Sequence, residues 1–398
     1  MNGYDYDVAV IGAGLAGLQC ARLLGERGLR VLLADRKAQV DRGVHTTGIF
    51  VRRTLEDFDL PEECLGPAVR DVVLYSPGGR ALPLASEHDE FRVGRMGLLY
   101  RRWLERACAA GVDWWPDTRF TGLLPHLEGS TVVLERGGKM RAVRARFVIG
   151  ADGATSRVAA DLGLSRNTEW IVGVEDVFHG VPADGPPCFH CYLDPDVAPG
   201  YIAWVVSDGE EMHVGVGGYA AGFRPVDALR RFRERVDARF GLAGRPVHER
   251  RGGRIPVGGV LPHIACARGL LVGDAAGAVS PLTAGGLDPC LRLSDLAARV
   301  TANYLGRGDE EALAPYGGAR FRRHFRTRIA MRRAISAVRS PLLLEAACAA
   351  LRSPLLRPLA GSIFFGRGSF PDVHVDVDGS TPRRDPAAFS HPHTRPAA

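Results

Sequence analysis

An apolar run near the start of the chain ends in a Gly-x-Gly-x-x-Gly motif, which consists of Gly12, Ala13, Gly14, Leu15, Ala16 and Gly17. The first glycine lets the chain turn tightly out of a strand, the second lets backbone N–H groups approach a pyrophosphate, and the third lets the following helix lie close to the sheet. The positive N-terminus of that helix points at the phosphates. A second apolar run ends at Asp35, whose carboxylate can accept the hydroxyls of a ribose. These elements predict a dinucleotide-binding unit.

Two further pairs of glycine and acid follow apolar runs. Asp152-Gly153 comes just after the run that ends at Gly150, and Gly273-Asp274 comes after a run over residues 269–272. Ligands of open α/β sheets bind at the carboxyl ends of the strands, so we expect these acids to lie at one edge of one sheet. A nicotinamide dehydrogenase usually needs only the first element. A third strand end with an acid favours a longer cofactor whose middle section also needs an anchor.

The elements that must position these residues are of two kinds. Apolar strands that alternate with helices predict a doubly wound α/β unit, whereas stretches of short strands with sharp turns predict an inserted antiparallel sheet. The predicted elements are a hairpin at 71–75 and 80–84, a helix over 92–110, a hairpin at 131–135 and 140–143, a separate buried strand at 146–150, strands within 170–254, and a helix over 226–240. We expect the inserted sheet to wall a pocket over the cofactor, the alternative being a purely structural sheet.

The composition excludes several classes of protein. The net charge of +6 is nearly all Arg, because Lys occurs only at Lys37 and Lys139, and the basic residues alternate with acids, which predicts no nucleic-acid partner. No apolar run is long enough to span a membrane. Scattered cysteines and the early first strand predict a cytoplasmic protein. The one close pair, Cys188 and Cys191, lacks a second pair of ligands, so we expect no metal site.

The three strand-end motifs, in this order over about residues 5–300, resemble those of the flavoprotein superfamily that includes aromatic-ring hydroxylases and geranylgeranyl reductases. The resemblance implies that the cofactor is FAD, with its ADP half on the first glycine motif. It places Asp152-Gly153 near the pyrophosphate and the nicotinamide donor, and it makes Asp274 the acceptor of a ribityl hydroxyl. It also puts Pro281 beside the isoalloxazine.

Other residues gain candidate roles from the same resemblance. Gly285-Gly286-Leu287 opens a helix, so its free N–H groups and dipole would face the N1–C2=O edge of the flavin and stabilise negative charge there. Arg36 would stack near the adenine and Arg95 would reach the flavin or its phosphates, with a surface ion pair as the alternative for each. His45 lies in the loop expected over the ring, as a proton donor, a covalent flavin anchor or a bystander.

The run over residues 273–286 is more similar to geranylgeranyl reductases than to ring hydroxylases. The similarity implies reduction of activated C=C bonds in an apolar small molecule, with Tyr201 and Trp204 contacting the substrate. Two positions depart from the reductases. The stretch that holds Tyr201 and Trp204 is one residue longer than their lipid motif and lacks its proline, and residues 45–48 read His-Thr-Thr-Gly where a cysteine–glycine loop is expected.

Two alternatives stay open for the activity, which are an NAD(P)H-dependent flavin monooxygenase of an aromatic or polyketide-like substrate and a non-enzymatic flavin carrier. Because the chain has no second strand–glycine–helix motif, electrons would come from transiently bound NAD(P)H or from a carrier protein. The substrate and the oligomeric state are left open.

These assignments predict a Rossmann-like FAD-binding domain with an inserted β-sheet domain and C-terminal helices. The predicted divisions are an FAD-binding domain over 1–66, 92–169 and 255–335, a substrate-binding sheet domain over 67–91 and 170–254, a helical segment over 336–371, and a disordered tail over 372–398. We expect the partly apolar helical segment to form helices that cover the domain. Leu, Ile and Phe beside Arg in this segment leave contact with a membrane surface as the alternative.

Overall fold

The computed structural model of the chain describes residues 3–181, 185–219, 221–365 and 370. The helices are α1 (Leu15–Gly25), α2 (Arg52–Asp57), α3 (Met96–Ala109), α4 (Arg157–Asp161), α5 (Pro225–Phe240), α6 (Leu287–Arg307), α7 (Gly318–His324), α8 (Arg326–Ala337), α9 (Pro341–Leu351) and α10 (Arg357–Phe365). Short 3-10 helices cover Glu62–Cys64, Gly273–Ala276 and Glu310–Tyr316.

The strands are β1 (Tyr6–Ile11), β2 (Val31–Ala34), β3 (Ile49–Val51), β4 (Leu65–Val69), β5 (Asp71–Tyr75), β6 (Ala81–Ala85), β7 (Phe91–Gly94), β8 (Asp113–Trp115), β9 (Thr118–Pro125), β10 (Ser130–Arg136), β11 (Lys139–Gly150), β12 (Trp170–His179), β13 (Cys188–Tyr192), β14 (Ala203–Ser207), β15 (Glu211–Tyr219), β16 (Glu249–Pro256), β17 (Ala265–Cys266) and β18 (Gly269–Leu271). The predicted α/β fold class is confirmed.

The first sheet has a parallel centre in the order β18-β11-β1-β2-β8. Strands β18, β1 and β2 and the last residues of β11 are apolar and buried. Helix α1 packs against β1 and β2, and α3 and α6 pack against α1. The register brings Ala34, Ile11, Gly150 and Leu271 into one row across four strands. Each of these residues ends its strand, so the segments that follow them leave the sheet at the same edge.

Two predicted elements have different boundaries in the structure. The hairpin strand at 140–143 and the buried strand at 146–150 form a single strand, β11, whose first half pairs antiparallel with β10 and whose last half pairs parallel with β1. The intervening residues include no turn former, so nothing interrupts the strand. The helix predicted over 92–110 begins only at Met96, because Phe91–Gly94 pairs with β3 and β4 as the centre of a small sheet.

A seven-stranded sheet runs in the order β16-β12-β15-β14-β13-β5-β6 and contains both the predicted hairpin at 71–75 and the strands within 170–254. One face is covered by α5, which buries Val174, Phe178 and Val214 among others. The opposite face carries glycines side by side, since Gly173 pairs with both Gly217 and Gly253. We call this opposite side the glycine face. Because these positions carry no side chain, other groups can approach the sheet closely on this face.

The predicted domain boundaries stay predictions, and strands β4, β7 and β16 each cross one of them. In the C-terminal segment, helices form as expected. Helix α9 exposes Leu342 and the turn between α9 and α10 exposes Leu355, which are 82% and 86% accessible. None of the helices that the structure describes has both the length and the apolar character to cross a bilayer. The tail predicted over 372–398 lies outside the described residues.

Candidate functional site

In the first glycine motif, Gly12 and Gly17 allow close backbone packing, whereas Gly14 borders open space. An ideal Cβ on Gly12 would lie 2.3 Å from the carbonyl oxygen of Ala151, and one on Gly17 would lie 1.8 Å from that of Gly12. Gly12 also has φ +105°, which L side chains rarely adopt. A Cβ on Gly14 would meet no atom within 4 Å. The open space therefore lies directly before α1, whose first turn has neither a side-chain cap nor an acid.

Backbone N–H groups on either side hold the Asp35 carboxylate beside this motif. The N–H of Ala13 donates to Asp35 Oδ2 at 2.6 Å, and the N–H of Lys37 donates to Oδ1 at 2.8 Å. The carboxylate is thus oriented at the end of β2 while remaining partly exposed to a ligand. Arg36 follows it at the same strand end and is exposed.

Asp274 follows β18 and lies between the starts of two helices. A Cβ on the preceding Gly273 would approach Ala16 of α1 at 2.8 Å, and Asp274 Oδ1 lies 3.8 Å from the Cβ position of Gly286, which precedes α6. Burial raises the pKa of Asp274 to about 6. Within the described part of the chain its carboxylate accepts no hydrogen bond. An acceptor that lacks a protein donor fits a ligand that brings a hydroxyl, as FAD does with its ribityl chain.

The loop between Asp274 and α6 is shaped by unusual backbone. Ala284 has φ +53°, and the N–H of Ser280 donates across the loop to the carbonyl of Gly285 at 2.9 Å. Pro281 is buried at the base of the loop. The predicted helix start is observed, because α6 begins at Leu287 with Gly286 as an N-cap that has no capping side chain. Its first N–H groups are therefore available to an anionic group.

The side chain of Asp152 is used inside its own turn. It accepts hydrogen bonds from the hydroxyl of Ser156 at 2.5 Å and from the backbone N–H groups of Arg157 and Val158 at 2.7 and 3.1 Å, which caps α4. Its backbone nitrogen lies 3.1 Å from the Cβ position of Gly12. Asp152 is thus adjacent to the glycine motif through its backbone. Gly153 has φ +84° and open space around it.

Arg95 and His45 lie in less distinctive surroundings. Arg95 immediately precedes α3 and forms an ion pair with Glu210 at 3.0 Å, which is the alternative that the sequence left open. His45 is exposed on the loop before β3, with its Cβ 3.9 Å from the Cβ position of Gly253. Partial desolvation and the charges of Lys37 and Arg36 lower the pKa of His45. A neutral imidazole at neutral pH disfavours the proton-donor hypothesis for this residue.

Tyr201 and Trp204 lie flat on the glycine face. A Cβ on Gly217 would come within 2.5 Å of the Tyr201 ring, and one on Gly215 within 2.2 Å of the Trp204 indole. The hydroxyl of Tyr201 donates to the carbonyl of Thr283 at 2.7 Å, which ties the sheet to the loop before α6. The structure therefore places both predicted substrate contacts on the glycine face, and Tyr201 adjoins the loop before α6.

Sequence reasoning missed a buried ionic cluster on the same face. Glu175 and His213 lie on neighbouring strands and are almost inaccessible, and Asp208, Glu211 and Arg251 surround them. A local signal existed, because the two acids Glu175 and Asp176 interrupt an otherwise apolar strand, β12.

Comparison with known proteins agrees with this geometry. A model described as FAD binding domain matches residues 98–331, more than half of the chain, and one described as lycopene cyclase protein matches residues 7–183. The chain is 30% identical over 328 residues to digeranylgeranylglycerophospholipid reductase 1 of Methanococcoides burtonii, covering 78% of each protein. The chain belongs to this family of FAD-dependent oxidoreductases. The resemblance to geranylgeranyl reductases and the prediction of FAD are thereby confirmed.

Further relatives agree on the family and on the fold. Digeranylgeranylglycerophospholipid reductase 1 of Methanopyrus kandleri is 32% identical over 324 residues, covering 77% of this flavoprotein and 83% of the relative. A geranylgeranyl bacteriochlorophyll reductase-like protein from Thermoplasma acidophilum has a TM-score of 0.79 at 22% identity, covering 91% of this chain and 97% of that one. A p-nitrophenol 4-monooxygenase from Pseudomonas putida has a TM-score of 0.68 at 19% identity, covering 91% and 98%, and shares the fold.

Proposed function

We propose that this flavoprotein saturates C=C bonds in the isoprenoid chains of a lipid. The observation that supports this proposal best is the glycine face, where the paired glycines Gly173 and Gly253 lie next to the aromatic rings of Tyr201 and Trp204. An extended apolar chain fits such a surface because it needs length and apolar contact rather than polar partners. The relatives named as digeranylgeranylglycerophospholipid reductases act on substrates of this kind by their names.

The strand-end edge would hold the FAD. The N-terminus of α1 and the space at Gly14 would receive the pyrophosphate, Asp35 the ribose, and Asp274 a ribityl hydroxyl. FAD supplies hydride chemistry when it is bound and reduced. The N-terminus of α6 would stabilise the negative charge of the reduced ring. Tyr201, by tying the sheet to the loop before α6, would keep the substrate wall in a fixed position over that edge.

The C-terminal helices would bring the protein to a lipid surface. Leu342 and Leu355 are exposed beside the exposed basic residues Arg339 and Arg357. The guanidinium of Arg332 on α8 lies 4.9 Å from the Tyr201 ring, so these helices adjoin the substrate wall. A basic and apolar surface next to the pocket suits a substrate that resides in a membrane with anionic headgroups.

One assay tests the activity. The purified protein with FAD is reduced under anaerobic conditions by dithionite, NADH, NADPH or reduced ferredoxin and then mixed with a digeranylgeranylglycerophospholipid. We expect the flavin absorbance to return and the lipid mass to rise by two hydrogens for each double bond. Oxygen consumption that produces a hydroxylated aromatic compound, with no change in the lipid, would instead establish a monooxygenase. A protein that exchanges FAD but reacts with neither substrate would be a flavin carrier.

A further inference from the structure

The buried ionic cluster on the glycine face forms a continuous line from the protein surface to the loop over the pocket. His179 is half exposed, and its Nε2 lies 3.4 Å from Glu211 Oε1. Glu211 Oε2 lies 3.8 Å from His213 Nε2, and His213 Nδ1 lies 3.6 Å from Glu175 Oε1. The line ends at Thr47, whose hydroxyl donates to Glu175 Oε2 at 2.6 Å.

The inner end of this line reaches the predicted pocket. Thr47 belongs to the loop that leads from β2 into β3, and this loop contacts the glycine face at Gly253 through His45. Glu175 has Gly215 as its direct neighbour on β15, and the Trp204 indole lies over that glycine, so the cluster adjoins a predicted substrate contact. The relay residues therefore lie where an apolar substrate would meet the strand-end edge.

This cluster differs from a structural ion network on the opposite face of the same strand. Asp176 is fully buried and accepts three hydrogen bonds, two from Arg250 at 2.7 and 3.1 Å and one from Arg233 at 3.1 Å. By contrast, both ring nitrogens of His213 and one oxygen of Glu175 are buried with no hydrogen-bond partner within the described part of the chain. Buried polar groups in purely structural roles are normally satisfied, so unmet groups point to a function.

We propose that the Glu211–His213–Glu175–Thr47 line delivers a proton into the pocket, a role that rests on the reductase function proposed above. Each step is within about 1 Å of hydrogen-bond length, so small side-chain rotations complete the line. His213 and Glu175 are positioning and relay residues, and Thr47 is the group that meets the substrate.

The reaction requires such a delivery. Saturation of a C=C bond adds one hydride, which carries both electrons from the reduced flavin, to one carbon. The π electron pair then remains on the other carbon, which must form a C–H bond with a proton. A pocket lined by glycine and aromatic groups offers little water, so the protein must supply that proton. His213 first passes its proton to the Glu175 carboxylate. The Thr47 hydroxyl then turns from Glu175 toward the substrate and gives its own proton to the carbon as its oxygen takes the proton from Glu175. The neutral His213 that is left regains a proton from the surface at His179 through Glu211.

The charges around His213 keep it protonated. Its neighbours are Glu175 on β12, Asp208 in the turn after β14, Glu211 on β15 and, beyond Glu175, Arg251 on β16. Burial by itself lowers the pKa of His213, but the carboxylates of Asp208 and Glu175 outweigh it and raise the pKa to about 9. His213, Thr47 and Arg251 hold the pKa of Glu175 below its usual range despite its burial. The proton therefore rests on His213 at neutral pH.

The kinetic test uses anaerobic single turnovers of dithionite-reduced holoenzyme with the isoprenoid lipid, from pH 6 to pH 10, in H2O and in D2O. We expect the wild-type rate to fall above about pH 9, where His213 loses its proton. In Thr47→Val the rate of lipid reduction should fall about 100-fold or more while FAD binding is unchanged. Thr47→Ser, which keeps the hydroxyl, should retain most of the rate. In Glu175→Gln and in His213→Gln, the fall in rate above pH 9 should disappear from the pH–rate profile. The control is His190→Gln, which changes a histidine on β13, two strands away from β15, that contacts Phe240 of α5.

A second measurement does not depend on turnover. Histidine-selective NMR of the oxidised holoenzyme should give His213 a pKa near 9, and in Glu175→Gln that pKa should move toward the ordinary value. A wild-type rate and isotope effect in Thr47→Val, or a neutral His213 at pH 7, would overturn the relay while leaving the reductase function in place. So would a divalent cation that copurifies on Asp208, Glu211 and His213 and is removed by EDTA. A wild-type enzyme that reduces no isoprenoid would overturn both proposals.

Discussion

Replacing Gly17 with Ala should lower the stability of the fold, whereas replacing Gly14 with Ala should weaken flavin binding. At Gly17 a Cβ would lie 1.8 Å from the carbonyl oxygen of Gly12, and real Cβ contacts essentially never fall below 3.0 Å. Helix α1 must then move by about 1.2 Å, the difference of those two distances, away from β1. Overpacking of this kind costs about 1–3 kcal/mol, so Gly17→Ala should lower the free energy of unfolding of the apoprotein by that amount.

Gly14→Ala should leave the stability of the apoprotein unchanged and weaken the binding of FAD. Its Cβ would meet nothing within 4 Å, and φ is −76°, so the substitution introduces neither a clash nor backbone strain. The methyl group would occupy the space predicted for the pyrophosphate and prevent its close approach to the N–H groups of α1. Losing a hydrogen bond to a charged group costs about 1.5–3 kcal/mol, which raises the Kd for FAD by about 10- to 150-fold.

The assay is titration of apoprotein with FAD by calorimetry, together with urea unfolding of the apoprotein. The matched control is Gly306→Ala, at an exposed position near the end of α6 where a Cβ also meets nothing within 4 Å. It should leave the Kd unchanged and stabilise the protein by up to about 1 kcal/mol through helix propensity. An unchanged Kd in Gly14→Ala, or equal destabilisation by Gly14→Ala and Gly17→Ala, would refute the assignment of this space to the cofactor.

Four further substitutions have defined outcomes. Because the pKa of Asp274 is raised to about 6 and hydroxyl binding needs the carboxylate, FAD affinity should fall as pH drops below 6, and Asp274→Asn should bind more weakly with no such pH dependence, as measured by titration. Gly215→Ala, whose Cβ would lie 2.2 Å from the Trp204 indole, should cost about 1–3 kcal/mol in urea unfolding, whereas Gly253→Ala on the same face should stay within about 0.5 kcal/mol. The pKa of His213 in the folded protein, about 9, exceeds its value in the unfolded chain. Protonated His213 therefore stabilises the fold by about 3 kcal/mol below pH 6.5, and this stabilisation is lost as the pH rises through 9. An equal loss of unfolding free energy in His213→Gln at pH 6 and at pH 10 would contradict this prediction.

Features fixed by short stretches of sequence were predictable. A strand followed at once by a glycine or an acid identifies its own carboxyl end, and the parallel order then brings Ile11, Ala34, Gly150 and Leu271 into one row. The start of α6 after Gly285-Gly286 is a local signal of the same kind. The fold class, the FAD cofactor and the reductase-like family followed from these signals, and the comparisons confirm them.

Local signals were weaker where two arrangements satisfy the same pattern. Residues 139–146 and the apolar run at 147–149 both have strand-like patterns, so the sequence could not say that β11 would continue from a hairpin into the parallel sheet. Residues 91–94 likewise became a strand because β3 and β4 provide partners on either side. Pairing partners distant in sequence decide such boundaries, since a lone strand is not stable by itself.

The sequence determined which nucleotide the chain binds and where its strand ends lie, because turns, helix starts and apolar periods are properties of neighbouring residues. Only the tertiary structure decided that Thr47, Glu175 and His213 would meet, since 128 residues separate the first two and the contact depends on the register of β12 with β15. The registers of β12 with β15 and with β16 likewise align Gly173 with Gly217 and Gly253 on one face of the sheet. Strand register is set by the packing of both faces at once, and no single stretch of chain contains that information.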